Sequence, residues 1–433
     1  MSPEFQIVVI FVLFLALLAS GMTVPFAILL PGMVYLYLQG GVAALHGLGL
    51  VSWGSMDSYT LTSIPLFVLM AEFLQGSGIG LRVYGGLAKL VRKVPGGLLQ
   101  TNIAGCAMFA AVSGSSIATA AAIGKVALPQ LDARSYDRRF ATGTLAAGGT
   151  LGILVPPSIA MIVYGTFTET SVAKLFMAGV VPGIILTLLF MAYVACAALA
   201  RPGIAPRETA SLPWIEVFKA LLDVVPFAVL IAAIMGTIYS GLATPTEAAG
   251  AGCLFSLVIS RIWGKLSWAE FLACLRRSSL VVANILFITY AAFVFSYAMS
   301  YAGVGEQVTE FIIGLHLNKF EFFLALLVLF TALGAFVESL GMIVITVPLL
   351  YPLLGSYGID PVWFGIVVVV FIEMGQITPP IGINLFVIQS ISRGSLTDVV
   401  LGTVPFHLLM FVLLAMLVAW PQIALWLPGS ISH

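Results

Sequence analysis

Gly152-Ile153-Leu154-Val155-Pro156-Pro157 and Gly375-Gln376-Ile377-Thr378-Pro379-Pro380 decide the fold. They stand 223 positions apart, Pro156 to Pro379, and the same offset aligns Pro129 with Pro352, Asp137 with Asp360, Ser116 with Ser339 and Leu131 with Leu354. One such pair would mean little. Several prolines and glycines in register at a single offset mark an internal duplication. Each Pro-Pro removes two backbone donors and forces extended geometry on the residue before it. Carbonyls one turn upstream lose their partners, so a helix entering the pair is interrupted there.

Around these stretches the chain is overwhelmingly apolar. Of its 433 residues 61% are hydrophobic and 8% charged, against roughly 45–50% and about 25% in soluble domains. It lacks the charge to cover a water-facing surface and reads as an all-α polytopic membrane protein embedded in a lipid bilayer. Long unbroken apolar runs exclude the period-two alternation of a transmembrane barrel. At ~20 apolar residues per span there is room for about 11–14 segments. The runs fall near 5–20, 24–39, 61–76, 97–112, 138–165, 172–200, 224–241, 244–262, 280–302, 320–337, 339–354, 361–374, 380–391 and 399–427. Several are too short to cross a hydrocarbon core of ~30 Å as one straight helix. That predicts discontinuous helices and two re-entrant helical hairpins, which are tolerated where they line a protein cavity. The first run follows Met1-Ser2-Pro3-Glu4 without a signal peptide's basic n-region, and is expected to stay as a retained span. Cys106, Cys196, Cys253 and Cys274 sit singly in apolar stretches with no CxxC spacing, and are expected as buried free thiols.

Charge fixes the orientation of the copies. Lys+Arg and Asp+Glu balance at 18 each, so nothing points to nucleic acid or an acidic partner. Basic residues cluster at Arg82, Lys89, Arg92 and Lys93, at Arg134, Arg138 and Arg139, at Arg201 and Arg207, and at Arg261, Lys265, Arg276 and Arg277. The positive-inside rule makes these loops cytoplasmic. Loop 132–139 holds three arginines and its counterpart 355–362 none. Segment 82–93 carries four basic residues, whereas 305–316 has no Lys or Arg and carries Glu306 and Glu310. The basic loop 261–277 maps onto 38–54, which has neither Lys nor Arg. Equivalent loops therefore lie on opposite sides of the membrane, giving an inverted-topology repeat, the architecture of many secondary transporters. The polar piece from Arg201 to Pro213 joins the halves, 1–205 and 206–433.

Each half then offers the same chemistry. In the first, Ser113-Gly114-Ser115-Ser116-Ile117-Ala118-Thr119 precedes Gly148-Gly149-Thr150 and Pro156-Pro157-Ser158; in the second, Glu338-Ser339-Leu340-Gly341 precedes Gln376-Ile377-Thr378-Pro379-Pro380 and Asn384. Orphan carbonyls in hydrocarbon cost several kcal/mol unless satisfied. A hard monovalent cation is a natural partner, with Ser, Thr and Asn oxygens completing the ligands. Half-helix N-termini after Pro157 and Pro380 would point positive dipole ends at an anionic substrate. Small-residue helix packing is the competing reading for any single serine or glycine here.

Glu72, Lys125, Glu247, Glu338 and Glu373 fall in or beside apolar runs, where ionised groups are costly and often functional. Lys125 has snorkelling as its alternative, and Glu247 has a helix cap. His46, His316, His407 and His433 show no mutual spacing for a metal. No H-E-x-x-H, G-x-S-x-G or G-x-x-x-x-G-K-[ST] occurs, so an enzyme, an ATP-driven pump or an organic cofactor has no support.

The stretches 113–124, 148–158, Thr244-Pro245-Thr246-Glu247-Ala248-Ala249 and Gly375 to Leu385 together resemble the large membrane (M) subunit of TRAP transporters, the tripartite ATP-independent periplasmic type, over essentially the whole chain. Lys125 departs from the pattern, which usually places a small residue after that glycine. The resemblance implies a sodium-coupled, elevator-type importer of an organic acid in the bacterial cytoplasmic (inner) membrane. Its implied partners are a four-helix small membrane (Q) subunit and a periplasmic substrate-binding protein (P). It further implies Na+, two or more ions, held by Ser113, Gly114, Ser115 and Ser116 with Gly152 and Val155, and by Glu338, Ser339 and Gly341 with Gln376 and Thr378. The substrate is implied near Ser115, Thr119, Pro157, Ser158, Pro380 and Asn384. Two rivals stand beside it: a stand-alone ion-coupled carboxylate carrier or sodium/proton exchanger of related fold, and a channel-like structural subunit without ion coupling.

Overall fold

A computed structural model of the chain describes residues 3–206, 212–301 and 303–430; Arg207 and part of the joining piece lie outside them. Among the described residues there are helices and no strands. The first ten are α1 Pro3–Ala19, α2 Val24–Leu45, α3 Leu48–Met56, α4 Ser63–Gly76, α5 Ile79–Leu90, α6 Leu98–Ser113, α7 Ser116–Ala133, α8 Arg138–Leu154, α9 Ile159–Thr168 and α10 Val172–Ala200. After the joint come α11 Trp214–Tyr239, α12 Pro245–Ile262, α13 Trp268–Tyr301, α14 Val304–Gly314, α15 Lys319–Gly334, α16 Ser339–Leu350, α17 Leu353–Ser356, α18 Pro361–Gln376, α19 Ile383–Ser392, α20 Leu396–Ala419 and α21 Gln422–Gly429.

Helix limits recur at the offset of the sequence motifs. α7 starts at Ser116 and α16 at Ser339; α8 starts at Arg138 and α18 at Pro361. The caps recur too. Asp137 Oδ1 accepts from Phe140 N at 2.9 Å, and Asp360 Oδ1 accepts from Val362 N at 2.8 Å and Trp363 N at 3.0 Å, each satisfying donors that a helix start leaves free. Beyond the Pro-Pro pairs the offset grows by one, with α9 beginning at Ile159 and α19 at Ile383. Both of these short helices end on a left-handed residue, Glu169 and Arg393. Both Pro-Pro peptide bonds are cis.

The centre of the molecule is α8 and α18. Every residue from Ala141 to Leu154 and from Trp363 to Gln376 is buried. Among the described residues six segments are long and apolar enough to span a bilayer: α8 with α9, and around them α2, α10, α11, α13 and α20. Outer helices expose Leu, Val and Phe on one face, as lipid contact requires. Lipid tails are as apolar as these side chains, so helix association rests on close packing, and glycine permits it. A Cβ on Gly143 would stand 2.3 Å from the Gly402 carbonyl oxygen, and one on Gly402 would stand 2.3 Å from that of Arg139. These positions bring α8 and α20 backbone to backbone. Arg138 and Arg139 close the same junction by donating to the carbonyls of Ser392 and Leu401.

Several sequence expectations meet the structure differently. The runs expected at 224–241 and 280–302 belong to helices that begin at Trp214 and Trp268. Their first turns carry charge that pairs with neighbours: Lys89 with Glu216 at 2.7 Å, and Arg277 with Glu72 and Glu270, each at 2.8 Å. Hydropathy falls there while the helix continues. The run 399–427 is divided at Trp420 between α20 and α21. Helices α3, α5, α7 and α14 correspond to no apolar run. Among the cysteines, Cys196 is exposed while Cys106, Cys253 and Cys274 are buried; it occupies an outward turn of α10, where surrounding lipid, not protein, supplies the apolar environment. All four are free thiols.

Replacing Gly143 by Ala should lower stability by about 1–3 kcal/mol, because the methyl group meets backbone that cannot rotate away. Gly236→Ala, a helix position with nothing within 4 Å, should be neutral or stabilising by up to about 1 kcal/mol. Thermal denaturation of both variants in detergent checks the contrast.

Candidate transport site

The α6–α7 hairpin turns on two residues, Gly114 in the left-handed region (φ +59°) and Ser115 in an extended conformation. Gly114 ends α6 without the Cβ penalty of that region. Ser115 starts α7, its hydroxyl accepting from Ala118 N at 3.4 Å. The tip lies against the first break. The Ile159 N–H, at the start of α9, donates to the Gly114 carbonyl at 3.2 Å. A Cβ on Gly152 would stand 2.4 Å from the Ser115 carbonyl oxygen and 2.7 Å from Thr119 Oγ1, so only glycine lets the tip seat there. Behind the tip, the Ser113 and Thr119 hydroxyls are 2.6 Å apart. Pro157 lacks the N–H that would have served the Ile153 carbonyl, and Ser158 Oγ donates to that oxygen instead at 2.6 Å.

The second break is reached from the first half. Ser116 Oγ donates to Gln376 Oε1 at 2.5 Å, joining the start of α7 to the end of α18. Thr378 Oγ1 donates to the Met374 carbonyl at 2.7 Å and lies 2.9 Å from His407 Nε2 on α20; that ring nitrogen is also 3.2 Å from the Met374 oxygen. Gln376 Nε2, both amide atoms of Asn384 and both carboxyl oxygens of Glu373 are buried without a hydrogen-bond partner among the described residues.

Between the hairpins a cleft of about 470 Å³ opens. Gly114, Ser115, Ile117, Ala118 and Ala121 form one wall; Glu338, Ser339 and Leu340 form a second, and Leu280, Val281, Asn284 and Ile285 of α13 a third. The N-termini of α7 and α16 therefore both end at this cleft, at positions equivalent in the repeat. Glu338 precedes α16 without capping it through its side chain.

The structure thus brings Ser113, Gly114, Ser115 and Ser116 together with Gly152, and adds Gln376 through Ser116. It places Glu338 and Ser339 at the cleft and turns the Thr378 hydroxyl away, toward α20. Gly341 packs against Val337 and Val24, and Val155 against Gly183. Of the residues expected near substrate, Ser115 lines the cleft. Thr119 and Ser158 are fully buried behind it with their hydroxyls engaged, Asn384 is fully buried, Pro157 is buried and Pro380 is exposed at the second break. Glu247 closes a capping box with Thr244, and Glu72 is ion-paired. Sequence reasoning passed over His407 and Asn284. Neither belongs to a motif, and a polar residue within a long apolar helix was the only signal either offered.

Paired broken helices, a hairpin tip seated on one of them and a central cleft are the parts of a membrane transporter. In fold the chain resembles the Alcanivorax borkumensis YdaH transporter, with a TM-score of 0.62 at 14% identity over 90% of each chain. Neisseria gonorrhoeae MtrF gives 0.54 at 12% identity, over 90% of this chain and 85% of that one. Residues 11–423 match the model of the tripartite ATP-independent periplasmic transporter, DctM component, and the chain belongs to that family. It is 32% identical to the C4-dicarboxylate TRAP transporter large permease protein DctM of Rhodobacter capsulatus, over 98% of this chain and 99% of that protein. The sialic acid TRAP transporter large permease protein SiaM of Vibrio cholerae is 29% identical over 96% of each. The isethionate TRAP transporter permease protein DctMQ of Oleidesulfovibrio alaskensis is 32% identical over 88% of this chain and 60% of that one. The chain is therefore a multi-pass membrane permease subunit of a secondary transporter and not an enzyme.

A double-mutant cycle on Ser116→Ala and Gln376→Leu should give a coupling of about 1 kcal/mol in stability, the net worth of a buried neutral hydrogen bond. Additive effects in thermal denaturation would mean that the two residues do not meet.

Proposed function

We propose that this chain is the sodium-coupled membrane subunit of a binding-protein-dependent importer of an organic acid in the cytoplasmic membrane, working by an elevator motion of the two hairpins and broken helices against the outer helices. The two halves, 1–205 and 206–433, act as inverted copies. The observation that carries this reading is the seating of the α6–α7 tip: one turn of backbone contacts the first break through Gly114 and the second through Ser116. Ions bound at either break would therefore stiffen the same tip.

The electrostatics give an order of events. The positive ends of α7 and α16 favour an anion in the cleft. Glu338 opposes it. A sodium ion at Glu338 and Ser339 would remove that opposition, so a carboxylate binds well only after the cation. In the first half, carbonyls at Gly152 to Val155 with the Ser113 to Ser116 oxygens supply the hard donors that sodium prefers; in the second, Gly341, Gln376 and Thr378 add theirs. Ser115 at the cleft, with Thr119, Pro157, Ser158, Pro380 and Asn384 shaping the elements behind and beside it, positions the substrate.

The named substrates of these three relatives, C4-dicarboxylates, sialic acid and isethionate, are acids, which supports an anionic solute. A small Q subunit and a periplasmic P protein are the proposed partners. The isethionate relative, of whose length this match spans 60%, carries DctMQ as its name, which supports an M-plus-Q assembly.

Sodium should raise the thermal midpoint of the purified protein above that in choline at equal ionic strength, by about 2.7 kcal/mol of stabilisation at 100 times its Kd. Ser116→Ala should diminish that rise. Equal midpoints in the two salts would contradict sodium coupling. Glu338→Gln should fold normally yet need roughly tenfold more sodium for the same stabilisation, the equivalent of about 1.4 kcal/mol; an unchanged sodium titration would exclude Glu338 as a ligand.

A further inference from the structure

Two cations flank the cytoplasmic side of the cleft, one on each facing wall. On α7 the partly exposed stripe runs through Ile117, Ala118 and Ala121, which line the cleft, and reaches exposed Lys125 one turn further on. On α13 the stripe through Asn284 and Leu280, also lining the cleft, continues one turn back to exposed Arg276. Both helices have their basic ends on the side where the positive-inside rule places the cytoplasm. Helix α7 leads from the tip to the Arg134–Arg139 turn, and α13 starts after Arg261 and Lys265. At 1.5 Å per residue Lys125 lies roughly 15 Å from Ser115 and Arg276 roughly 12 Å from Asn284. The two charges thus stand at similar distances from the cleft, toward the cytoplasm.

Two nearby cations are engaged. Arg277 is held by Glu72 and Glu270, and Arg138 by the Ser392 carbonyl. Lys125 and Arg276 have no ion pair or hydrogen bond among the described residues. An unpaired ammonium within a membrane helix is tolerated where it faces a watery cavity. The stripe that carries Lys125 is the one that opens onto the cleft.

We propose that Lys125 and Arg276 form a cationic inner mouth of the cleft, a binding site that receives a carboxylate of the departing substrate on its way to the cytoplasm. Lys125 stands on the hairpin that the elevator reading moves and Arg276 on an outer helix, so the pair would part when the hairpin moves outward. The inference rests on the transport reading above, for which the cleft is the route. It names an anionic solute as the cargo from this chain's own charges.

The test needs no substrate. Cysteines are placed at Ala121 and, separately, at Asn284 in a C196S background of the assembled transporter. Their reaction with an anionic and a cationic methanethiosulfonate is then timed from the cytoplasmic face in inside-out vesicles. Each rate is normalised to that reagent's rate with a free thiol. The anionic reagent should be favoured about tenfold, as expected for a cleft lined by one sign of charge, and high salt should reduce the preference. K125Q with R276Q should abolish it, while K125R with R276K should keep it and so show that the fold is intact. Equal rates, or a preference that survives the double glutamine variant, would overturn the mouth and leave Lys125 as a lysine snorkelling to the interface. Sodium-dependent uptake of organic acids into right-side-out vesicles holding the same assembled transporter separates the two readings. Uptake without charge preference removes the mouth alone, and charge preference without uptake of any acid tested removes the transport reading.

Discussion

A carbonyl deprived of its N–H partner inside a membrane costs several kcal/mol unless another group takes it up, and this chain creates such carbonyls twice, at equivalent places. Much of the surrounding architecture serves that constraint. Ser158 donates to the Ile153 oxygen, and the start of α9 is tied to the Gly114 carbonyl of the hairpin tip. What these side chains leave uncovered is a set of hard oxygen atoms beside hydroxyls, in the most deeply buried part of the molecule. Under the proposed function that environment is where a small cation would bind without needing a formal charge on every ligand.

Close backbone approach is the second requirement, because neither break would be covered if the elements stood a side chain apart. Gly152 admits the Ser115 carbonyl. Gly334 and Gly375 meet across α15 and α18, where a Cβ on either would stand under 3.0 Å from the other, and Gly143 meets Gly402. In lipid, where burial of apolar surface does not favour one helix pair over another, these contacts select the arrangement. Charged residues are kept to the ends and outer helices, where Arg82 pairs with Asp223 and Lys89 with Glu216. The exceptions, Glu338, Glu373 and Lys125, are for that reason the residues whose placement asks for a functional account.

The parts legible in the sequence are those set by single residues acting on their own backbone. Proline fixes where α8 and α18 stop, and the single offset that pairs Asp137 with Asp360 and Ser116 with Ser339 shows that the halves repeat. Composition shows the membrane, and loop charge gives the expected orientation. What the chain does not disclose is which distant surfaces meet. The third wall of the cleft comes from α13, more than 160 residues from Ser115 along the chain, and nothing in Leu280 or Asn284 announces it. His407 likewise acquires meaning only where α20 crosses the second break. Helices α3, α5 and α14 escaped a search for apolar runs, because α5 and α14 are amphipathic and short and α3 is broken by serine and glycine.

The central claim is that the two proline breaks hold the coupling cations and that the hairpin tip reads both. A high-resolution cryo-electron microscopy pair of the assembled transporter, one map in sodium and one in choline, tests it most directly. The account predicts one density in sodium between the Ser113–Ser116 tip and the Gly152–Val155 carbonyls, and another beside Ser339, Gln376 and Thr378, both missing in choline. Maps that coincide at both breaks, or an ion density elsewhere with these segments unchanged, would contradict it.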